Sequence, residues 1–508
     1  MQFATVLTRV QQGLEAHQVR VEVHLSGGLP SLSISGMVET SVKESRDRVC
    51  AAIRSAGLEV PDGRIVISLA PANLPKAGSR FDLPIALGIL AASGQVPPEA
   101  LSGKEFFGEL GLSGDLRSVP AILPAAMQAG VSGHGVVAPD ACAEELALLD
   151  SETIALATHL TGVVGFLWGR SDLPAPLKQS APSLPGDSVV GSDIDFSDVC
   201  GQVMAKRGLL IAAAGGHNLL MSGSPGAGKS MLAQRFAGLL APLSNAESLQ
   251  TAALYSLAGQ RMPAWQRRPF RSPHHTSSSP ALVGGSSKPV PGEISLAHNG
   301  VLFLDELPEF PRAALEALRE PLETGSITIA RAGQSCEFPA SFQLLAAMNP
   351  CPCGYAGDAE KNCRCTPEQV RRYQQKISGP LLDRIDICLQ ISRPRVSLSD
   401  SRNSTAETTE SLYEKAAAAR DRQIQRAGKL NAMLGSRETR EYCWPDATGL
   451  KLLEKAAERF GMSYRACDRV LRVARTIADL DAASCSSTNT NAPAITGALA
   501  LRGLDQKN

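Results

Sequence analysis

Residues Gly223, Ser224, Pro225, Gly226, Ala227, Gly228, Lys229 and Ser230 match the pattern GxxxxGK[ST]. Glycines so spaced let backbone N–H groups curl around phosphate oxygens, and the N-terminus of a following helix adds partial positive charge. The context predicts that geometry, because the apolar run NLLMS precedes the turn and the helical pattern MLAQRFAGLLA follows it. Lys229 would then reach the β- and γ-phosphates of ATP, and the Ser230 hydroxyl would ligate Mg2+. Downstream, Val301–Leu304 reads as a buried strand ending in Asp305 and Glu306. The first acid would hold Mg2+ together with Ser230, and the second would polarise an attacking water. The apolar run 342–348 predicts another strand, ending on Asn349, whose amide can align that water and sense the γ-phosphate. In the segment PLLDRID (380–386), Arg384 is a candidate arginine finger for a neighbouring subunit's nucleotide. A surface ion pair with Asp383 or Asp386 is the alternative.

A second kind of chemistry is carried by Cys351, Cys353, Cys363 and Cys365. Four thiols so close in sequence can supply a tetrahedral Zn2+ site, and one placed directly after Asn349 would brace the loop there. The CxC spacing is tighter than the usual CxxC knuckle, and free thiols or an iron–sulfur site are the other readings. The remaining eight cysteines show no ligand spacing. His274 and His275 are adjacent, and on an extended segment they would point to opposite faces, which disfavours one shared metal ion. The segment 261–292 holds five basic residues and no acid. It suits either a loop touching DNA phosphates or a solvated insertion against a neighbouring subunit. Arg331, near the tip of an expected hairpin, is another phosphate-contact candidate. Residues 361–395 add eight basic residues against three acidic, part of that excess lying around Arg384.

The elements that must position these groups follow from composition and pattern. A chain of 508 residues predicts about three domains. With 50 Lys+Arg and 50 Asp+Glu the net charge is zero, which excludes a simple polycation or an acidic disordered chain. Only 13 Phe, 6 Tyr and 3 Trp are present, too few for base stacking to be the main binding mode. The neutrality is uneven: up to Asp195 there are 13 basic and 21 acidic residues, and beyond it 37 and 29. A polyanion is therefore expected on the later part of the chain. No secretory signal pattern opens the chain, and no apolar run approaches the about 20 residues of a membrane span. The expectation is a cytoplasmic protein with no membrane partner, its thiols mostly reduced.

Strand patterns at Val19–Leu25 and Arg64–Leu69, with helical ones at Ser41–Ala56 and Leu83–Ala92, predict a mixed α/β N-terminal domain over 1–170. A Pro- and Ser-rich linker is expected at 171–192, and a parallel-sheet nucleotide-binding core at 193–400. From 401 to 508 the helical spacing of 406–428, 448–460 and 463–480 predicts an all-α domain. A Ser/Thr/Asn-rich break at 484–493 precedes a short last helix.

The runs 268–285, 291–310, 317–323, 348–354 and 378–387 resemble those of magnesium-chelatase-like AAA+ ATPases. Within that superfamily the chain is similar to the ComM/YifB competence family from Met1 to Asp479, including the N-terminal runs 27–49 and 69–90. The resemblance implies a Lon-protease-like N-terminal α/β domain, an AAA+ P-loop core and a helical C-terminal lid. It also implies a homo-oligomer, a hexamer, acting as a branch migration helicase on branched, single- or double-stranded DNA during integration of transforming DNA. By the same resemblance Asn349 matches sensor 1, Arg384 the trans-acting finger and Arg465 the sensor 2 arginine, with Arg469 one turn on. Protein-remodelling and metal-chelatase ATPases share the core motifs and form the alternative, although a chelatase motor subunit would lack the N-terminal extension. Proteolysis is set aside. Asp82 falls near the position of Lon's serine, with Ser79 out of register, and the region matching its lysine, near Leu123, contains none.

Overall fold

The computed structural model describes residues 2–149, 152–177, 194–285, 289–331, 334–358, 360–393, 407–481 and 490–503. Most of the expected linker (178–193), much of the Ser/Thr/Asn-rich break (482–489), the hairpin tip at 332–333 and Arg395 lie outside them. The chain divides into two compact units, Met1–Pro182 with Leu249–Met262, and Ser183–Ser248 with Pro263–Asn508.

In the first unit, β1 (Phe3–Gln12) and β2 (Glu15–Ser26) form an antiparallel hairpin. Their alternating valines, Val6 and Val10 with Val19, Val21 and Val23, share one buried face, Val6 directly opposite Val21. The strands β3 (Ser31–Ser35), β4 (Arg64–Ala70), β5 (Lys104–Phe106), β8 (Gly135–Pro139) and β9 (Ile154–Ala157) complete a seven-stranded mixed sheet of order β3-β4-β2-β1-β5-β8-β9. A two-stranded ladder, β6 (Glu109–Leu110) with β7 (Leu116–Arg117), lies apart from it. The helix Asp82–Ala92 is buried at every position, as its uninterrupted apolar run requires. The helix Thr40–Ser55 is amphipathic and buries Val42, Val49, Ala52 and Ile53.

The second unit is built on an all-parallel sheet of order β11-β12-β15-β10-β16: β11 (Phe270–Arg271), β12 (Val301–Leu304), β15 (Gln343–Met348), β10 (Leu219–Gly223) and β16 (Ile387–Ile391). Strands covered on both faces read as continuous apolar runs, and VLFL and QLLAAM do so. The register pairs Ser222 with Met348 and Leu304 with Ala346. The carboxyl ends of β10, β12 and β15 therefore finish side by side, where α/β sheets carry their ligands. A separate antiparallel hairpin joins β13 (Ser326–Arg331) to β14 (Gln334–Pro339), as expected, with Arg331 at the end of β13.

The C-terminal part is all-helical: Thr409–Ala427, Ser436–Tyr442, Ala447–Phe460, Tyr464–Asp481 and Ala492–Leu501. Thr408 and Asp446 cap two of these helices through Ser411 N–H and Gly449 N–H. The helix 464–481 buries Val470, Leu471, Ala474 and Ile477 in the same hydrophobic core as the sheet. Its buried Asp479 receives both guanidinium arms of Arg426, at 2.8 and 2.7 Å. Arg475 Nε lies 3.2 Å from the same carboxylate, which also accepts from Asn431 Nδ2 at 3.0 Å.

Candidate functional site

The turn after β10 opens directly into the helix Lys229–Phe236. Gly228, at the N-cap, has φ +88°, a left-handed conformation that a side chain would strain. Lys229 folds back into the loop and is almost fully buried. Its ammonium donates to the carbonyls of Gly223 (2.6 Å) and Ser224 (3.2 Å) and to Asn349 Oδ1 (3.1 Å). Burial pulls its pKa below the usual lysine range, against the opposing pull of Asp305 and Glu306. The Ser230 hydroxyl donates to Asp305 Oδ2 at 2.6 Å. A hydroxyl and a carboxylate converging on one point are the donor set of an octahedral Mg2+ site, so these residues fit that ion.

Glu306 departs from this cluster. It adopts φ 53°, ψ 47°, which turns the chain at the end of β12, and its carboxylate lies 3.1 Å from His275 Nδ1. The expectation that His274 and His275 face opposite ways does not hold. His275 begins a turn rather than continuing an extended segment, and the two rings lie against each other with centroids 4.2 Å apart. Three further groups reach the phosphate loop. Arg393 donates to the Pro225 carbonyl (2.8 Å), and Gln202 donates to that of Ala227 (2.8 Å). The Ser224 hydroxyl donates to Asp358. Sequence reasoning missed all three, because they come from loops distant in sequence and carry no motif.

Arg384 and Arg465 stand elsewhere. Arg384 donates to the Pro380 carbonyl (2.8 Å) and pairs with Glu323, not with Asp383 or Asp386. Asp386 instead accepts from Asn218 N–H (3.1 Å) and faces His217 Nδ1 at 3.5 Å. Arg384 holds the Glu323 carboxyl below the usual range, and Arg465 adds to that effect. Arg469 faces Asp386 at 3.7 Å.

The four cysteines come together. Cys351 Sγ lies 3.4 Å from Cys353 Sγ and 3.6 Å from Cys363 Sγ, and Cys353 and Cys363 are 3.6 Å apart. With Cys365, all four sulfurs lie within 4.8 Å of one another. Backbone N–H groups of Arg364 and Tyr355 pull the Cys353 thiol below the usual cysteine range. The adjoining Asp358 carboxyl is pulled down to about 2, first by the Ser224 hydroxyl and then by the amides of Glu360 and Lys361.

The basic segment 261–292 is less available than its composition implies. Arg268 donates to the carbonyls of Ala241 (2.6 Å) and Asn299 (2.7 Å), and Arg271 forks onto Glu293 with two 2.6 Å bonds. Two of its five cations therefore hold this unit together. In the N-terminal unit Asp82 is buried and receives Arg48 Nε at 3.0 Å. Ser79 donates to Glu109, Lys76 donates to the Pro71 carbonyl, and Leu123 is buried in a helix. Ser79 and Lys76 are thus each committed to another partner.

Comparison with known proteins matches three family models. "Magnesium chelatase, subunit ChlI" covers residues 195–398, "Subunit ChlI of Mg-chelatase" covers 21–141, and "Magnesium chelatase, subunit ChlI C-terminal" covers 406–502. The chain is 48% identical to YifB of Salmonella typhimurium over 95% of its own length and 94% of that protein. It is 46% identical to the competence protein ComM of Haemophilus influenzae over 94% of each chain. The magnesium-chelatase 67 kDa subunit of Chlorobaculum parvum is 27% identical over 31% of this chain and 23% of that subunit.

Proposed function

Since this chain belongs to the ComM/YifB family of magnesium-chelatase-like AAA+ ATPases, we propose that it is an oligomeric, cytoplasmic ATP-driven motor that moves branched DNA. The observation that carries the ATPase reading is the convergence of Lys229, Asn349, Ser230 and Asp305 at the carboxyl ends of adjacent parallel strands. In this reading Lys229 exchanges its carbonyl partners for the β- and γ-phosphates. Ser230 and Asp305 hold Mg2+, which would neutralise charge on the phosphate oxygens. Glu306 orients and deprotonates the lytic water, Asn349 reports the γ-phosphate, and the backbone of residues 223–230 cradles the anion.

Arg384, paired with Glu323, acts as the finger on the nucleotide of a neighbouring subunit in a ring, which we take to be a hexamer, and Arg465 acts as the sensor 2 arginine of the helical lid. The boundaries of that motor are a Lon-like domain over 1–170, a linker, a core over 193–400 and a lid over 401–508. The DNA part rests on the similarity to ComM, named a competence protein, and on the basic excess after Asp195. The cysteine cluster is read as a Zn2+ site: four thiols at these separations suit a tetrahedral thiophilic ion.

The deciding experiment is ATP-dependent migration of a labelled four-way junction by the full chain, beside Lys229→Ala and Glu306→Gln. Migration by the unaltered protein alone, with binding that weakens steeply as salt rises, is the expected result. ATP hydrolysis without binding or movement of any DNA structure would sink the helicase part and leave the ATPase part standing.

A further inference from the structure

The segment that carries the cysteines lies directly on the phosphate loop. Cys351 follows Asn349 by two residues, and Asn349 already accepts from Lys229 at 3.1 Å. Gly354 has φ +86°, and a Cβ there would overlap the Pro225 ring. The backbone between the first and second cysteine pairs is thus packed against the loop's proline without room for a methyl group. Four residues later, Asp358 accepts the Ser224 hydroxyl. It also accepts the N–H groups of Glu360 (2.9 Å) and Lys361 (3.0 Å), which tie its carboxylate to the strand of chain leading into Cys363. Cys351 is fully buried, and its sulfur accepts the Ala356 N–H at 3.3 Å.

The sulfur separations of 3.4 to 3.6 Å are far longer than a disulfide bond of about 2.05 Å. They approach the edge of about 3.8 Å expected of a tetrahedron with metal–sulfur bonds of about 2.3 Å. All four sulfurs accept backbone N–H groups: Cys351 from Ala356, Cys363 from Cys365 (3.4 Å), Cys353 from Arg364 and Tyr355, and Cys365 from Cys353. Such bonds orient thiolate ligands from outside the first coordination sphere. Among the described residues this stretch forms neither helix nor strand between Cys351 and Cys365, so an ion held by the four thiols would cross-link it.

We propose that residues 351–365 form a metal-held latch on the phosphate loop: zinc on the four cysteines fixes the segment, and the segment fixes Ser224 and Pro225 through Asp358 and Gly354. The inference rests on the zinc reading above and extends it, making metal occupancy a determinant of nucleotide affinity. Asp358 is a positioning residue in this scheme, since it touches the loop and not the phosphates.

The test uses the full chain, with zinc content measured by atomic emission and affinity measured with the fluorescent nucleotide mant-ADP. The unaltered chain should carry one zinc. Cys363→Ser/Cys365→Ser should lose it and bind mant-ADP about tenfold more weakly. Asp358→Ala should keep the zinc and still bind about five- to tenfold more weakly, whereas Asp358→Asn, which retains an acceptor oxygen, should recover most of the affinity. Adding Ser224→Ala to Asp358→Ala should cost little more, since the two act as one unit. Affinity like that of the unaltered chain in zinc-bearing Asp358→Ala would overturn the latch and leave the zinc site standing. So would the same affinity in a zinc-free double-cysteine variant with native circular dichroism. Absence of zinc in the unaltered chain, before and after incubation with the ion, would overturn the zinc reading itself.

Discussion

Lys229 satisfies its three donors on Gly223, Ser224 and Asn349. Glu306 makes no such commitment to the loop and sits instead against His275. That difference separates binding from chemistry. Glu306→Gln should lower the single-turnover rate of ATP hydrolysis by about a hundred- to a thousandfold while ATP affinity stays within about threefold, because only transition-state contacts are lost. Equal losses in rate and affinity would instead make Glu306 a ligand of the ground state. The glycines, Lys229, Ser230, Asp305 and Asn349 are legible in the sequence because each sits at the end of an apolar run. Asp358, Arg393 and Gln202 are not, since long-range folding alone brings them to the loop. Arg268 and Arg271 fail in the opposite sense: composition counts them as free cations, and packing consumes them.

Among the elements, β12 has the least obvious support. It is entered through His298, Asn299 and Gly300, with Asn299 at φ 58°. His298 Nδ1 accepts Ser341 N–H at 3.1 Å, which joins the entry of β12 to that of β15. Burial, opposed by Glu247, pulls the His298 pKa down from 6.5 to about 4. The unfolded chain therefore binds this proton near pH 6.5, whereas the folded chain resists it until about pH 4. Between those values the unfolded state holds more protons, so stability rises with pH and is lost as pH falls. The loss attributable to His298 totals about 3 kcal/mol. Urea unfolding across pH 4 to 7 should show that decline, and His298→Gln should flatten it even if the variant is less stable at neutral pH. An unchanged slope in the variant would exclude His298 as its source. The apolar strands and lid helices were readable from periodicity, but this seam between two strand entries was not. A lone histidine before an Asn-Gly turn looks the same whether it faces solvent or caps a neighbouring backbone.

For the molecule as a whole, the arrangement of cations bears on whether one chain can act alone. Lys229 belongs to the loop after β10, whereas Arg384 pairs with Glu323. If the finger serves a neighbour, each active site is assembled from two chains, and its two halves can be inactivated separately. Arg384→Ala should then lower hydrolysis by about a thousandfold, as should Lys229→Ala. Rings formed by co-expressing the two variants should regain activity. An intact phosphate loop from an Arg384→Ala subunit can meet an intact arginine from a Lys229→Ala subunit at roughly one quarter of randomly formed interfaces. Hydrolysis should recover toward that fraction of the unaltered rate if sites fire independently, and below it if they must fire in sequence around the ring. A chain whose arginine acted on its own nucleotide would give no recovery in any mixture, because every subunit would lack one half of its site. Residual activity that does not change with the mixing ratio would count against the shared site, and a maximum near equal proportions would count for it.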